Sequence, residues 1–86
     1  PPHPEKEMNT YLATFHTHLS ALRTARALKE CAVEQTSGPV PRKLSSSCGV
    51  CVRYLAQTPL LELMDEDCEA VYLENDGAYT RLYENL

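Results

Sequence analysis

The chain has 86 residues, 43% of them hydrophobic and 23% charged, with only 3 glycines. That length holds one domain with a small core. Its formal net charge of -4 argues against a nucleic-acid partner, which requires a basic face, and against an anionic membrane surface.

No apolar run reaches the length of a spanning helix, and no charged-then-apolar leader opens the chain. The first residue is Pro1, so removal of preceding residues stays open. Residues 1–8 are rich in proline and polar groups and read as a flexible tail; residues 9–86 read as one α+β domain.

Asn9–Phe15 reads as a strand with Tyr11, Ala13 and Phe15 on one face and Leu12 on the other. Apolar on both faces, it suits a central place in a sheet. Thr17 is placed to cap a helix over His18–Glu30. There Leu19, Leu22, Ala25 and Leu28 fall at helical spacing as the expected buried stripe. Ala21, Ala25 and Ala32 allow close packing on a sheet, and Arg23, Arg26 and Lys29 form a basic outer stripe. Residues 31–36 read as a second strand around Val33, stopped by Gly38-Pro39.

Residues 39–47 are a loop. Pro39 and Pro41 stiffen it, and Ser45, Ser46 and Ser47 exclude it from a core. Residues 49–55 then alternate, with Val50, Val52 and Tyr54 on one face and Cys51, Arg53 and Leu55 on the other, as in a third strand. Thr58-Pro59 signals a second, short helix with Leu60, Leu63 and Met64 buried. Asp65, Glu66 and Asp67 oppose the dipole at its end, so it should fray there. Residues 69–73 form a fourth strand. Asn75-Asp76-Gly77 turns it into an antiparallel arm over 78–83, with Tyr79, Tyr83 and Arg81 sharing a face.

The order strand-helix-strand-strand-helix-strand predicts a two-layer α+β sandwich of the ferredoxin-like split βαβ kind, with an extra C-terminal strand closing a hairpin. An edge hairpin can pair between chains, which makes a homodimer an expectation.

Chemistry concentrates between Pro39 and Cys51. Four cysteines in a chain able to build a core without bridges read as thiols of a reducing compartment. Cys48 and Cys51 have dithiol spacing, but Cys48 precedes a strand and Cys51 lies inside it, so a single functional thiol at Cys48 competes with a true redox pair. Zinc needs four ligands. No second cysteine pair at knuckle spacing exists, and although His16 and His18 could reach the site across strand ends, no metal or other cofactor is expected. Arg42, aimed by Pro41, could steady an anion at Cys48 together with Lys43 and the serine hydroxyls. Gly49 lets the backbone approach closely.

The run Tyr11-Leu12-Ala13-Thr14-Phe15-His16, Ala21, and then Pro39-Val40-Pro41-Arg42 and Ser45-Ser46-Ser47-Cys48-Gly49 resembles a small bacterial family of selenium/sulfur carrier-like proteins, over Asn9 to Tyr72. The resemblance implies a cytoplasmic α+β protein in which Cys48 carries the chalcogen and Arg42 and Gly49 are its neighbours. Cys51, where the family usually has an aliphatic or small residue, and the hairpin after Leu73 depart from the pattern. The departure at Cys51 favours a disulfide at Cys48; the hairpin would cover the site or form a dimer edge.

The expectation is a carrier more than an enzyme. A persulfide or selenopersulfide on Cys48 would be filled by a cysteine desulfurase-type donor and passed to an acceptor protein. Arg42 would stabilise the terminal anion, Cys51 would release the cargo as a disulfide, and Pro41, Ser46, Ser47 and Gly49 would line the site. Two other readings stand beside it: a non-catalytic module binding an anion or a protein, and a Cys48–Cys51 redox switch.

Overall fold

The computed structural model describes residues 8–85. Except for Met8, the expected tail lies outside the described residues. Strand β1 (Asn9–Phe15), helix α1 (His18–Glu30) and strands β2 (Gln35–Pro39), β3 (Val50–Ala56), β4 (Cys68–Asn75) and β5 (Ala78–Glu84) follow in that order, with a 3-10 turn at Leu61–Leu63. The five strands form one sheet, β2-β3-β1-β4-β5, and every neighbouring pair is antiparallel.

β1 is central because it has apolar groups for both faces. Tyr11, Leu12, Ala13, Thr14 and Phe15 are all buried. On one face Tyr11, Ala13 and Phe15 join Val52, Tyr54, Ala56 and Val71 beneath α1. The rings of Tyr11 and Tyr54, opposite each other in the register, stack at 5.5 Å. Full burial of a side chain such as Phe15 or Leu28 contributes about 2 kcal/mol of transfer free energy.

Thr17 caps α1, its hydroxyl accepting from the Ser20 amide at 3.1 Å. The helix buries Ser20, Ala21, Thr24 and Leu28, so the expected stripe is rotated. Leu19 and Leu22 face solvent. Small side chains on the inner face let the helix axis approach the sheet, and the bulkier leucines turn outward with Arg23, Arg26 and Lys29. The helix ends in a Schellman motif: Ala32 N donates to Lys29 O and Val33 N to Leu28 O, with Ala32 at φ 60°. This motif occupies residues read as the start of a strand, and β2 therefore begins later, at Gln35.

The predicted ferredoxin-like sandwich with two helices is not what forms. Among the described residues the structure is mainly a five-stranded antiparallel sheet with a single helix. After Thr58-Pro59, Leu60 takes a left-handed conformation, φ 52°, and Met64 is already extended. The helix is thus confined to one 3-10 turn. The acidic run that opposes a helix dipole instead bonds elsewhere, with Asp65 N donating to Thr24 Oγ1 at 3.0 Å.

The β4–β5 hairpin turns through Asp76 (φ 52°) and Gly77 (φ 81°). A register shift then sets Tyr83 opposite Val71, while Arg81 stays opposite Tyr72. Tyr83 consequently leaves the face it was expected to share with Arg81 and Tyr79.

The face opposite α1 is also closed. Leu12, Thr14 and Cys51 point there and are buried. Lys43 Nζ donates to Gly77 O at 2.7 Å, and Ser46 Oγ to Phe15 O at 3.0 Å, so the loop reaches from the β2–β3 edge to the far hairpin.

Among the described residues no helix is long and apolar enough to cross a membrane.

Candidate functional site around Cys48

The loop opens and closes on defined bonds. Val40 N donates to Gly49 O at 3.1 Å, extending the β2–β3 ladder by one pair, and Leu44 N donates to Pro41 O at 3.0 Å, forming a turn with Arg42 and Lys43 at its tip. Gly49 sits at φ 75°. A Cβ there would meet nothing within 4 Å, so the requirement for glycine comes from the backbone angle, not from crowding.

Cys48 precedes this glycine and is half-buried. It packs against the helix-side core, and its thiol lies 3.7 Å from Val50 O. His18, the first residue of α1, places Nε2 2.9 Å from Cys48 O, which fixes the loop backbone to the start of the helix.

Cys51 is on the other face of β3. It is 1% exposed and its thiol donates to Pro39 O at 3.4 Å. Burial, only partly offset by the nearby Arg53 charge, pushes that thiol above its usual range. Cys48 and Cys51 are both unbridged. Cys48 packs on the helix side of the sheet and Cys51 on the other face, so spacing in sequence does not make them a facing pair. Cys68 is buried too, and desolvation pushes its thiol up to about 12. Cys31 is exposed but caps the far end of α1, away from this loop.

The serines are anchors. Ser46 holds the end of β1 through Phe15 O. Ser47 donates its amide to both Glu69 carboxylate oxygens at 3.3 Å and its hydroxyl to Oε2 at 2.7 Å. His16 Nδ1 completes the cluster, 3.4 Å from both Ser47 Oγ and Glu69 Oε2. Partial burial by itself would raise the Glu69 pKa. The donors from Ser47 and Ser46 and the nearby His16 outweigh it and hold the carboxyl below its usual range. Beside this cluster opens a cleft of about 290 Å³, whose walls include Thr14, Ser45, Glu69, Tyr72 and Arg81.

Arg42 is exposed at the turn tip, with no hydrogen bond or ion pair to another of the described residues. Pro41 is half-buried behind it. Pro41, Arg42, Ser46, Ser47, Cys48 and Gly49 share this one loop, but the turn bearing Arg42 reaches toward the far hairpin while Cys48 packs on the helix side, and no contact joins the two among the described residues; Cys51 is turned to the other face. Among the described residues no group of three or more His, Cys, Asp or Glu could hold a metal ion.

Sequence reasoning noticed that His16 and His18 stand at a strand-to-helix junction but gave Glu69 no role beyond opening a strand. No local pattern marks Glu69. Its part follows from β4 pairing with β1 so that the starts of β4 and α1 and the end of β1 meet at the loop.

A family model described as "Putative Se/S carrier protein-like" matches residues 10–83. No curated protein and no solved structure matches the chain.

Proposed function

We propose that this chain, which belongs to the Se/S carrier protein-like family, holds a sulfur or selenium atom on Cys48. The observation that carries the reading is selective access. Cys48 is half-buried at the motif loop, whereas Cys51 and Cys68 are buried and hard to ionise and Cys31, though exposed, lies at the far end of α1, outside the motif.

In the reaction, the Cys48 thiolate attacks the outer sulfur of a persulfide on a donor such as a cysteine desulfurase. The donor S–S bond breaks, its thiolate leaves, and Cys48 becomes the persulfide. An acceptor thiolate then attacks that same outer atom and Cys48 returns to the thiolate. No net electrons are exchanged in either step.

Arg42, exposed at the turn tip, is the cation assigned to the terminal anion. Ser46 and Ser47 keep the loop in place through Phe15 and Glu69. Release is assigned to an external acceptor and not to Cys51, because the Cys51 thiol sits on the opposite face of β3, bonded to Pro39 O. Four unbridged thiols fit a reducing compartment, and the cytoplasm is where we assign the protein.

The test is mass spectrometry after incubation with a cysteine desulfurase and L-cysteine. One added sulfur on the wild type, removed by dithiothreitol and missing in Cys48→Ser, is the expected result. An adduct that persists in Cys48→Ser, or none on the wild type, overturns the reading.

A further inference from the structure

The two edges of the sheet are guarded differently. β5 carries Arg81 and Glu84 and a register shift, features that discourage pairing with another chain. β2 reads Gln35-Thr36-Ser37-Gly38-Pro39, without a charge and without irregularity in its register. Among the described residues its sole neighbour in the sheet is β3.

Ladder alternation identifies the free backbone groups on β2. Leu55 N donates to Glu34 O at one end and Val40 N donates to Gly49 O at the other, and the register between them is unbroken. The residues exchanging bonds with β3 are therefore Glu34, Thr36, Gly38 and Val40. The amides and carbonyls of Gln35 and Ser37 point away from the sheet.

Beside this edge runs a groove of about 450 Å³ between β2 and α1, whose lining includes Leu22, Ala25, Arg26, Lys29, Gln35 and Ser37. Leu22 is 58% exposed, and Arg26 and Lys29 are exposed beside it. No acidic residue lines the groove among the described residues. Against a chain of net charge -4, this is a local basic surface with an apolar floor.

We propose that β2 accepts an extended acidic segment of a partner protein as an added strand. The outward amides and carbonyls of Gln35 and Ser37 bond its main chain. Its alternate side chains enter the groove, aliphatic ones against Leu22 and Ala25 and carboxylates toward Arg26 and Lys29. β2 leads into the loop that bears Cys48, and Pro39 pairs with Val50. On the carrier reading, the docked segment belongs to the donor or acceptor and is guided to the thiol. That placement rests on the proposed function; the docking does not.

The probe is a labelled synthetic peptide of alternating valine and glutamate, compared with its valine–lysine counterpart by fluorescence anisotropy and amide NMR. The glutamate peptide should bind at least about tenfold more tightly and shift the Gln35 and Ser37 amides. Ser37→Pro, which removes an amide the ladder does not use, should abolish binding with the circular dichroism unchanged. Arg26→Glu combined with Lys29→Glu should reverse the preference, and it keeps the test decisive if Ser37→Pro fails to fold. Equal binding of the two peptides, no binding, or unshifted edge amides overturns the proposal. So does a concentration-dependent dimer that Ser37→Pro dissociates, since the edge would then belong to a second copy. Sulfur loading of Cys48 is measured in parallel. Loading without peptide preference sinks the groove alone, and preference without loading sinks the carrier reading alone.

Discussion

Glu69 grips Ser47 by both its main chain and its side chain, accepting from the amide at 3.3 Å and from the hydroxyl at 2.7 Å. One carboxylate at the start of β4 thereby fixes the residue immediately before the candidate thiol.

Removing that grip should be visible in acid. A carboxyl held below its ordinary value of 4.5 stabilises the fold above that value, and the contribution is lost as pH falls through the lowered one. Glu69→Gln should therefore cost about 1 kcal/mol at neutral pH, and the gap to the wild type should close in acid. Urea denaturation at both pH values measures it; a gap of constant size would refute the assignment.

The alkaline limb has a different origin. Cys68 is raised by burial from 9.0 to about 12, and burial also raises Tyr54, whose hydroxyl donates to Pro59 O. Groups buried in their neutral form stabilise below their unfolded pKa, and that stability drains away as pH climbs from 9.0 toward 12. Cys68→Ala should lower stability at neutral pH through lost packing, by about 1 kcal/mol, yet flatten the alkaline decline. An unchanged slope in pH-resolved melting curves would count against this account.

Native alkylation should separate the four thiols. Cys48 and Cys31 should react with iodoacetamide in the folded protein, and Cys51 and Cys68 only in denaturant. Peptide mapping by mass spectrometry reads the order, and labelling of Cys51 as fast as Cys48 would contradict the described loop.

Arg42→Ala should leave the melting temperature within error, because the side chain is exposed. It should slow sulfur transfer to Cys48 by roughly tenfold, the loss of about 1.4 kcal/mol of anion stabilisation. Transfer at the wild-type rate would remove Arg42 from the site.

Ala32 closes the Schellman motif at φ 60°, where a Cβ is strained. Ala32→Gly should stabilise the protein by about 0.5–1 kcal/mol, read as a higher melting temperature. Destabilisation would mean that the motif is held by something other than its backbone bonds.

Sequence spoke most clearly where local chemistry decides. β1 and α1 occupy the residues their periodicity indicates, and the Thr17 cap and the Asp76-Gly77 turn form where their side chains and φ preferences suggest. It misled where tertiary packing overrides propensity. Thr58-Pro59 is a good helix start, but a left-handed Leu60 follows, and Leu19 and Leu22 cede the inner face to Ser20, Ala21 and Thr24. At the candidate site, the glycine-bounded loop was legible as a stretch of chain. Glu69 was not, because its bond to Ser47 crosses 22 positions and depends on how two strands pair.

The Lys43–Gly77 bond bears on any attempt to transplant the motif. The loop is tied across the sheet, to the end of β1 through Ser46 and to the far hairpin through Lys43, so its shape is enforced by the sheet beneath and by a hairpin at the opposite margin. Grafted onto another scaffold without that floor and that distant tether, the same residues would lose the bonds that hold them in this shape.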